Sequence, residues 1–304
     1  TYTVYNADGL MNVAELVNGG KTDINITLDK NIDLTGKGWT PIGTDYDNSY
    51  TGTFDGGGHT ITGLTVTTND EYAGLFGYLG NFNNGAATVK NVVMDGIQIT
   101  CNHRSGYAGG VAGYSWGTIE NCSVSGSVSG TVYVGGVVGA QIDGSITGCS
   151  SSATVKGMVD VGGVAGQTNS SATLTACYAT GNVIIEIDPV KNISGGGLVG
   201  FNGGNGVLAC YATGNVTSTG SSTGYVHIGG FLGNNYANVM TACYWKNNHE
   251  QGIGYNKKST EATKVDGTGV TWKNAVDAMN TALQNAGSKW RYELNGALPT
   301  LRKQ

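Results

Sequence analysis

Short apolar segments bounded by glycine recur along the central part of the chain. The earliest reads AGLFG and the five later ones read GG-x-x-G; they occupy Ala73–Gly77, Gly109–Gly113, Gly135–Gly139, Gly162–Gly166, Gly196–Gly200 and Gly229–Gly233. A cysteine follows each of the later segments, at Cys122, Cys149, Cys177, Cys210 and Cys243. The last glycines of successive segments lie 26 to 36 residues apart. This spacing defines a repeat, and a repeat is the first evidence of architecture.

Within one repeat the β-prone residues form three short pieces separated by Gly, Ser or Asn. In the third copy these pieces lie near Val132–Val138, Ile146–Cys149 and Ala153–Val155. Helical repeats and four-stranded propeller blades of about 40 residues do not fit this pattern. One turn of a parallel β-helix does fit, because each strand then pairs with its counterpart one coil away, at about 4.8 Å. We therefore predict an all-β fold, a single-stranded, right-handed parallel β-helix solenoid with helical N- and C-terminal caps.

Stacked coils place equivalent side chains in columns, and alternate residues of a strand point to opposite faces. We expect the five repeated cysteines to form an inward structural ladder, with Val92 in the same position of an earlier coil. Neighbouring thiols about 4.8 Å apart with parallel Cβ vectors do not suit a disulfide, so free thiols are expected. Cys101 lies outside this register. The paired glycines are expected to provide positive φ and tight corners.

Both ends of the chain carry helical patterns. Apolar residues with helical spacing follow Asp8, an expected N-cap; they are Leu10, Val13, Ala14 and Val17. A second set follows Thr271, also an expected N-cap, and precedes Gly287; it comprises Val276, Met279 and Leu283. We predict an N-terminal cap with a short helix over residues 1–24, a β-helix over 25–245, and a loop and C-terminal helical cap over 246–304. Large apolar residues of the last region are expected to cover the open core: Trp290, Tyr292, Leu298 and Leu301.

Composition narrows the class of protein further. Glycine accounts for 52 of 304 residues but proline for only 3, which excludes collagen and argues against a disordered linker. Charged residues make up 12% of the chain and the net charge is −5. Without a basic stripe, nucleic-acid binding is not expected. No apolar run reaches the roughly 18 residues of a membrane span.

Several quoted segments together resemble a known family. WTPIG at Trp39–Gly43, GTFDGGGHTITGL at Gly52–Leu64 and AGLFGYL at Ala73–Leu79, followed by the GG-x-x-G and cysteine repeats, resemble the GLUG-motif β-helix proteins. The resemblance covers about Asn25 to Trp245. It implies an extracellular or surface-exposed bacterial β-helix of adhesin-like type. It supplies no catalytic residues, and the export signal is not expected within this chain.

Chemical motifs are scarce. The four histidines are far apart in sequence, no zinc-type cysteine pair occurs, and no serine-hydrolase or nucleotide-binding motif is present. We therefore predict no catalytic residues, no metal site and no cofactor. Asp45, Asp47, Asn48 and Asp55 lack the spacing of an EF-hand and are interpreted as a solvated loop. The segment FDGGGHT, with Asp55 and His59, is interpreted as a glycine-rich corner.

A polysaccharide lyase or hydrolase is the alternative, because such enzymes resemble one another in clustering acids on one β-helix face. Paired carboxylates perform the acid and base steps of glycoside hydrolysis. The acids between Cys122 and Gly233 occupy unrelated repeat positions, so no such cluster is expected; they are Asp143, Asp160, Glu186 and Asp188.

Aromatic residues offer a candidate for ligand binding. Tyr178, Tyr211 and Tyr244 each follow a ladder cysteine, so they should form an outward column with Trp245 beside it. An exposed aromatic strip can stack on sugar rings or contact a protein. The same stacking also stabilises adjacent strands without any ligand. A second candidate cluster comprises Tyr107, Tyr114 and Trp116.

These observations favour a non-catalytic, adhesin-like binding or display module on a bacterial cell surface or in a secreted protein. The expected partner is a host or cell-surface glycan or protein. The alternatives are the β-helix enzyme and a structural spacer within a larger surface protein.

Overall fold

A computed structural model describes all 304 residues, Thr1–Gln304, and the chain is a parallel β-solenoid of about seven coils. Each strand pairs in parallel with the equivalent strand of the next coil, as in the register Gly109 to Gly135 to Gly162. Apart from one isolated bridge between Asn81 and Gly85, only the C-terminal hairpin pairs antiparallel. The predicted β-helix fold is therefore confirmed, with two helices, α1 (Ala7–Asn18) and α2 (Trp272–Asn285).

Three parallel sheets run along the solenoid axis. The first corner sheet contains six strands: Tyr72–Ala73, Tyr107–Gly109, Tyr133–Gly135, Asp160–Gly162, Ile193–Gly196 and Val226–Gly229. The second corner sheet contains seven: Phe76–Leu79, Ala112–Ser115, Val138–Gln141, Ala165–Thr168, Val199–Asn202, Leu232–Asn235 and Ile253–Asn256.

The third sheet, here called the wrapping sheet, completes each coil with several short strands. Its strands are Tyr2–Val4, Ile26–Leu28, Ile32–Asp33, Thr53–Asp55, Thr60–Thr62, Thr65–Thr68, Thr88–Cys101, Thr118–Ser129, Ser145–Thr147, Ser150–Ser151, Thr154–Gly157, Thr173–Thr175, Tyr178–Ala179, Val183–Glu186, Gly206–Leu208, Tyr211–Ala212, Val216–Thr219, Val239–Thr241, Tyr244–Trp245 and Thr263–Lys264. The C-terminal hairpin joins Trp290–Glu293 to Thr300–Lys303.

The β-helix continues beyond residue 245, where the sequence predicted a loop. Ile253–Asn256 pairs with Leu232–Asn235, and Thr263–Lys264 pairs with Tyr244–Trp245. The backbone groups of the preceding coil are satisfied by this pairing even though the added strands are polar. Because this region is polar, its sequence did not predict that it forms a last coil.

Each GG-x-x-G segment forms the turn between the two corner sheets. A Cβ atom on Gly109 would lie 2.2 Å from the carbonyl oxygen of Ala112 and 2.6 Å from Cα of Val138 in the next coil. The glycines of these segments do not have positive φ, contrary to our expectation. They are required because the backbones of adjacent coils approach too closely for any side chain.

Positive φ occurs instead at the residue before each ladder position. The φ values are 58° at Asn91, 51° at Asn121, 63° at Gly148, 52° at Ala176, 52° at Ala209 and 51° at Ala242. Asn and Gly tolerate this left-handed conformation, whereas alanine is strained in it. The change from Asn to Gly and Ala along the column follows the position of the C-terminal segment, described below.

The five repeated cysteines are buried, unpaired thiols at equivalent positions of successive coils. Cys122 is in register with Val92. The Cys177 sulfur lies 3.3 Å from the carbonyl oxygens of Ile146 and Thr175. Burial raises the pKa of the Cys243 thiol to about 12, so this thiol stays neutral. The column acts as a small apolar filling that also donates weak hydrogen bonds to strand-end carbonyls.

The N-terminal helix α1 is capped by Asn6, whose side-chain oxygen accepts a hydrogen bond of 2.8 Å from the Gly9 amide. The expected N-cap, Asp8, lies inside the first turn instead. The buried face of α1 contributes to the main core, as the spacing predicted. It consists of Leu10, Val13, Ala14 and Val17. Helix α2 begins after Thr271, which forms a capping box with Asn274 as an N-cap should.

Residues 265–304, here called the C-terminal cover, lie along the side of the solenoid and not over its end. Apolar residues of α2 and the hairpin form a second, smaller core with the outer surface of the wrapping sheet. The Tyr292 hydroxyl donates a 2.7 Å hydrogen bond to the Ala209 carbonyl, and Lys303 forms a 2.6 Å ion pair with Glu120. The cover therefore spans several coils and stabilises their lateral surface.

The indole of Trp245 belongs to the main core, and Lys264 of the last coil is in register with it. Trp245 is also in register with Ala212, and a Cβ atom on Gly252 would lie 2.6 Å from its ring. Trp245 is 6% exposed. A large aromatic side chain thus replaces alanine one coil before the solenoid ends.

Candidate binding surface

The predicted tyrosine column exists as a stack but not as an exposed strip. Tyr178, Tyr211 and Tyr244 are in register, and the rings of Tyr178 and Tyr211 are parallel, with centroids 4.8 Å apart. The C-terminal cover lies on them, so Tyr211 is fully buried, with Trp272 at 5.0 Å. The expectation of an exposed column with Trp245 beside it is therefore wrong.

The physical reason is that an amphipathic helix needs an apolar partner surface. The tyrosines offer that surface, together with the small residues Ala176 and Ala209. The Tyr211 hydroxyl donates to the Pro299 carbonyl, so even the polar edge of this ring is occupied. Tyr178 and Tyr244, on either side of Tyr211, are both half-buried, and Tyr244 lies at the border of the cover.

Two other columns of side chains meet on the outer surface, along the turn between the corner sheets. We call this surface the seam. Residues seven apart face each other across most GG-x-x-G turns, as Tyr107 and Tyr114 do at 5.3 Å and His227 and Asn234 at 2.7 Å. One column consists of Tyr72, Tyr107, Tyr133, Asp160, Ser194 and His227, and the other of Tyr78, Tyr114, Ala140, Gln167, Phe201, Asn234 and Tyr255.

Tyrosines dominate the N-terminal half of the seam. The rings of Tyr78 and Tyr114 stack at 4.5 Å, and those of Tyr107 and Tyr133 stack at 4.5 Å. Tyr72 contacts both pairs edge-on or tilted. Two residues of the second predicted cluster, Tyr107 and Tyr114, therefore belong to a larger aromatic surface. Trp116 lies outside it, next to the exposed loop residue Phe82.

The middle of the seam is polar and buried. Asn234 donates a 2.8 Å hydrogen bond to the Ser194 hydroxyl, and its carbonyl oxygen contacts Nδ1 of His227 at 2.7 Å. Asp160, one coil before Ser194, is 8% exposed. Burial raises the pKa of Asp160 to about 7, with the Ser194 hydroxyl opposing that shift. Neither Asp160 nor His227 was a predicted site residue, although both occupy the column of Tyr107 and could have been found by aligning the repeats.

Exposed aromatic rings return at the C-terminal half of the seam. The His227 imidazole stacks between Tyr225 at 4.4 Å and Tyr255 at 5.0 Å, with nearly parallel planes. Tyr225 and Tyr255 are 37% and 41% exposed. Lys257 lies 5.0 Å above the ring of Tyr236, which contacts Tyr255. This patch presents aromatic surface and the Lys257 cation to solvent.

The acids considered for an enzyme occupy separate environments. Asp143 accepts hydrogen bonds from Gly144 and Ser171, Glu186 pairs with Lys156 at 2.7 Å, and Asp188 accepts from the Val190 amide. No three His, Cys, Asp or Glu side chains lie close enough together to hold a metal ion. In the loop considered for calcium, Asp45 accepts from the amides of Asp47 and Asn48.

The stacked coils and the recurring GG-x-x-G turns identify the protein as a parallel β-helix built from sequence repeats. Residues 105–129 and 130–156 each match the GLUG motif, which confirms the resemblance found in the sequence. The chain is a parallel β-helix protein that carries GLUG repeats.

Two curated relatives match part of the chain. Halomucin from Haloquadratum walsbyi is 43% identical over 105 residues, which are 34% of this chain and 1% of halomucin. A protein of Evansella cellulosilytica, described provisionally as a Gly-rich membrane protein, is 35% identical over 130 residues, or 40% of this chain and 14% of that protein. The match therefore spans only a small part of either relative.

One solved structure matches almost the whole chain. It is a Bacteroides ovatus protein described provisionally as an immunoglobulin A1 protease, with a TM-score of 0.74 over 99% of this chain and 92% of that one. The two sequences are 19% identical, so the match establishes a common fold. Neither helix of the present chain has the length and apolar character needed to cross a membrane.

Proposed function

We propose that this β-helix is a non-catalytic, adhesin-like binding or display module of a cell-surface or secreted protein, with a glycan or protein ligand. The observation that carries the proposal is the C-terminal half of the seam, where Tyr225 and Tyr255 stack on His227 and keep partly exposed rings. Rigid, partly exposed aromatic residues with nearby amides provide contact area at low entropic cost. The names of the two relatives, a mucin-like name and a membrane protein, support a location at the cell surface.

The separate environments of the acids support binding over hydrolysis. A glycosidase needs two carboxyl groups about 5–9.5 Å apart on either side of the bond. Asp143 and Glu186 are each engaged in contacts of their own, and Asp160 is buried beside Ser194. The test therefore has to distinguish the binding module from two alternatives: a β-helix enzyme and a spacer that binds no ligand.

The test uses the purified chain on a glycan array and against surface proteins of host cells. We expect binding that is lost in the double variant Tyr225→Ala/Tyr255→Ala and retained in Tyr5→Ala, a matched exposed tyrosine outside the seam. Tm measurements must show that the double variant is folded. Depolymerisation of a polysaccharide by the wild type, abolished by Asp160→Asn, would establish the enzyme instead. Binding that is unaffected by the double variant would exclude the seam.

A further inference from the structure

A shallow, open cleft of about 640 Å³ lies between α2 and residues 241–244 of the wrapping sheet. It begins where the C-terminal cover leaves the tyrosine column, so Tyr244 borders it while Tyr211 lies beneath the cover. The small residues Ala242, Ala278 and Ala282 line it and keep it open. Pockets of about 300–1,000 Å³ hold small ligands in proteins. The cleft lies on the wrapping sheet and is distinct from the seam.

The polar groups that line the cleft are mostly neutral and available. The oxygen of Asn274 accepts from Thr271 in the capping box, which leaves its NH2 group without a protein partner. The side-chain amide of Asn285 is exposed and Tyr244 is half-buried, and both residues line the cleft. The only charged lining residue, Asp277, pairs with Lys273 at 2.9 Å. The cleft therefore offers hydrogen-bond donors and acceptors but no net charge that would attract an ion.

We infer that this cleft is a binding site for a neutral saccharide. A sugar ring has an apolar C–H face and a rim of hydroxyl groups that both donate and accept hydrogen bonds. The apolar face fits the Tyr244 ring and the alanine surface, and the hydroxyl rim meets the amides of Asn274 and Asn285. A phosphorylated ligand would meet the Asp277 carboxylate and no cation, since no Lys or Arg lines the cleft. This inference goes beyond the proposed function, because it assigns a ligand class to a surface other than the seam.

The experiment measures binding by NMR chemical-shift perturbation with four neutral probes: cellotriose, xylotriose, maltotriose and chitotriose. We expect at least one probe to shift resonances of α2 and of residues 241–244. Ala278→Trp should fill the cleft and weaken this binding at least about tenfold, which corresponds to roughly 1.4 kcal/mol. Gln284→Trp places the same bulk on an exposed helix position outside the lining, and it should bind as the wild type does.

A second pair of variants tests the aromatic contact. Tyr244→Phe should retain most of the affinity and Tyr244→Ala should lose at least about tenfold, with Tm values used to confirm folding. The inference is overturned if no probe binds the folded wild type at millimolar concentration, or if binding persists in Ala278→Trp. Binding that is abolished by Tyr225→Ala/Tyr255→Ala but not by Ala278→Trp would assign the ligand to the seam and reject the cleft.

Discussion

The indole ring of Trp290 occupies the space that a side chain on Gly148 would need. A Cβ atom built on Gly148 would lie 2.2 Å from ring carbons of Trp290, although these residues are far apart in sequence. The equivalent residue one coil earlier is Asn121, which has a similar positive φ and is exposed. The glycine at this position is therefore explained by the C-terminal cover as well as by the backbone conformation.

Replacing Gly148 with Asn should detach the hairpin locally. Asn tolerates the positive φ, so the expected cost of about 1–3 kcal/mol in the free energy of unfolding comes from the clash with Trp290. The same substitution in a Trp290→Ala background should cost close to nothing. Urea unfolding of the four proteins in this double-mutant cycle measures the coupling. Equal costs in both backgrounds would show that Trp290 does not explain the glycine.

Replacing Trp245 with Ala should leave a cavity at the C-terminal end of the core, next to the last coil. Truncating a buried aromatic residue costs about 3–5 kcal/mol. Binding of a hydrophobic dye and a lower Tm should report the change. Phe82→Ala serves as the control, since Phe82 is 79% exposed. A Trp245→Ala protein as stable as this control would contradict the assignment of Trp245 to the main core.

Replacing Cys177 with Asp should be far more damaging than replacing it with Val. The carboxylate would face the carbonyl oxygens of Ile146 and Thr175, which lie 3.3 Å from the present sulfur. An unpaired buried charge costs about 3–5 kcal/mol, whereas a substitution of similar volume costs about 1 kcal/mol. Thermal melts of both variants provide the measurement. Similar Tm values for Asp and Val would refute the inward orientation.

Asp160 should make the folded protein less stable as the pH rises. Its folded pKa is raised from 3.8 to about 7, so the native state retains a proton between pH 4 and 7 that the unfolded state releases. Stability from this group is therefore complete below pH 4 and is lost as the pH approaches 7. The shift corresponds to roughly 4 kcal/mol at 1.36 kcal/mol per pKa unit.

Asp160→Asn tests this linkage. The variant should lose most of the decrease in unfolding free energy between pH 4 and 8, and it should be more stable than the wild type at pH 8. Urea unfolding at several pH values measures both quantities. Asp23→Asn, at an exposed carboxylate, serves as the control. An unchanged pH dependence in Asp160→Asn would show that Asp160 does not ionise as its burial implies.

The candidate surfaces show where reasoning from sequence succeeds and where it fails. The period of the repeats placed Tyr178, Tyr211 and Tyr244 in one outward register, which the structure contains. The same alternation points Trp245 inward, so the prediction that Trp245 lies beside the outward column was wrong. The seam could also have been predicted from the sequence, since Tyr107 and Tyr114 lie seven residues apart around a GG-x-x-G turn. Aligning the repeats also places Asp160 in the column of Tyr107, but its burial has no signal in the sequence, because that burial depends on neighbours from other coils.

The sequence by itself determined the coil, its period and its inward cysteine column, because stacked strands repeat every local choice one coil later. Tertiary structure alone decided that residues 265–304 cover the side of the solenoid, which buries Tyr211 and leaves a cleft at Tyr244. The sequence of an amphipathic helix shows that the helix packs on an apolar surface, but it does not show which surface. The choice between the open end and the tyrosine column depends on how well Trp290 and Tyr292 fit around Gly148 and Ala209, and that fit exists only in the folded molecule.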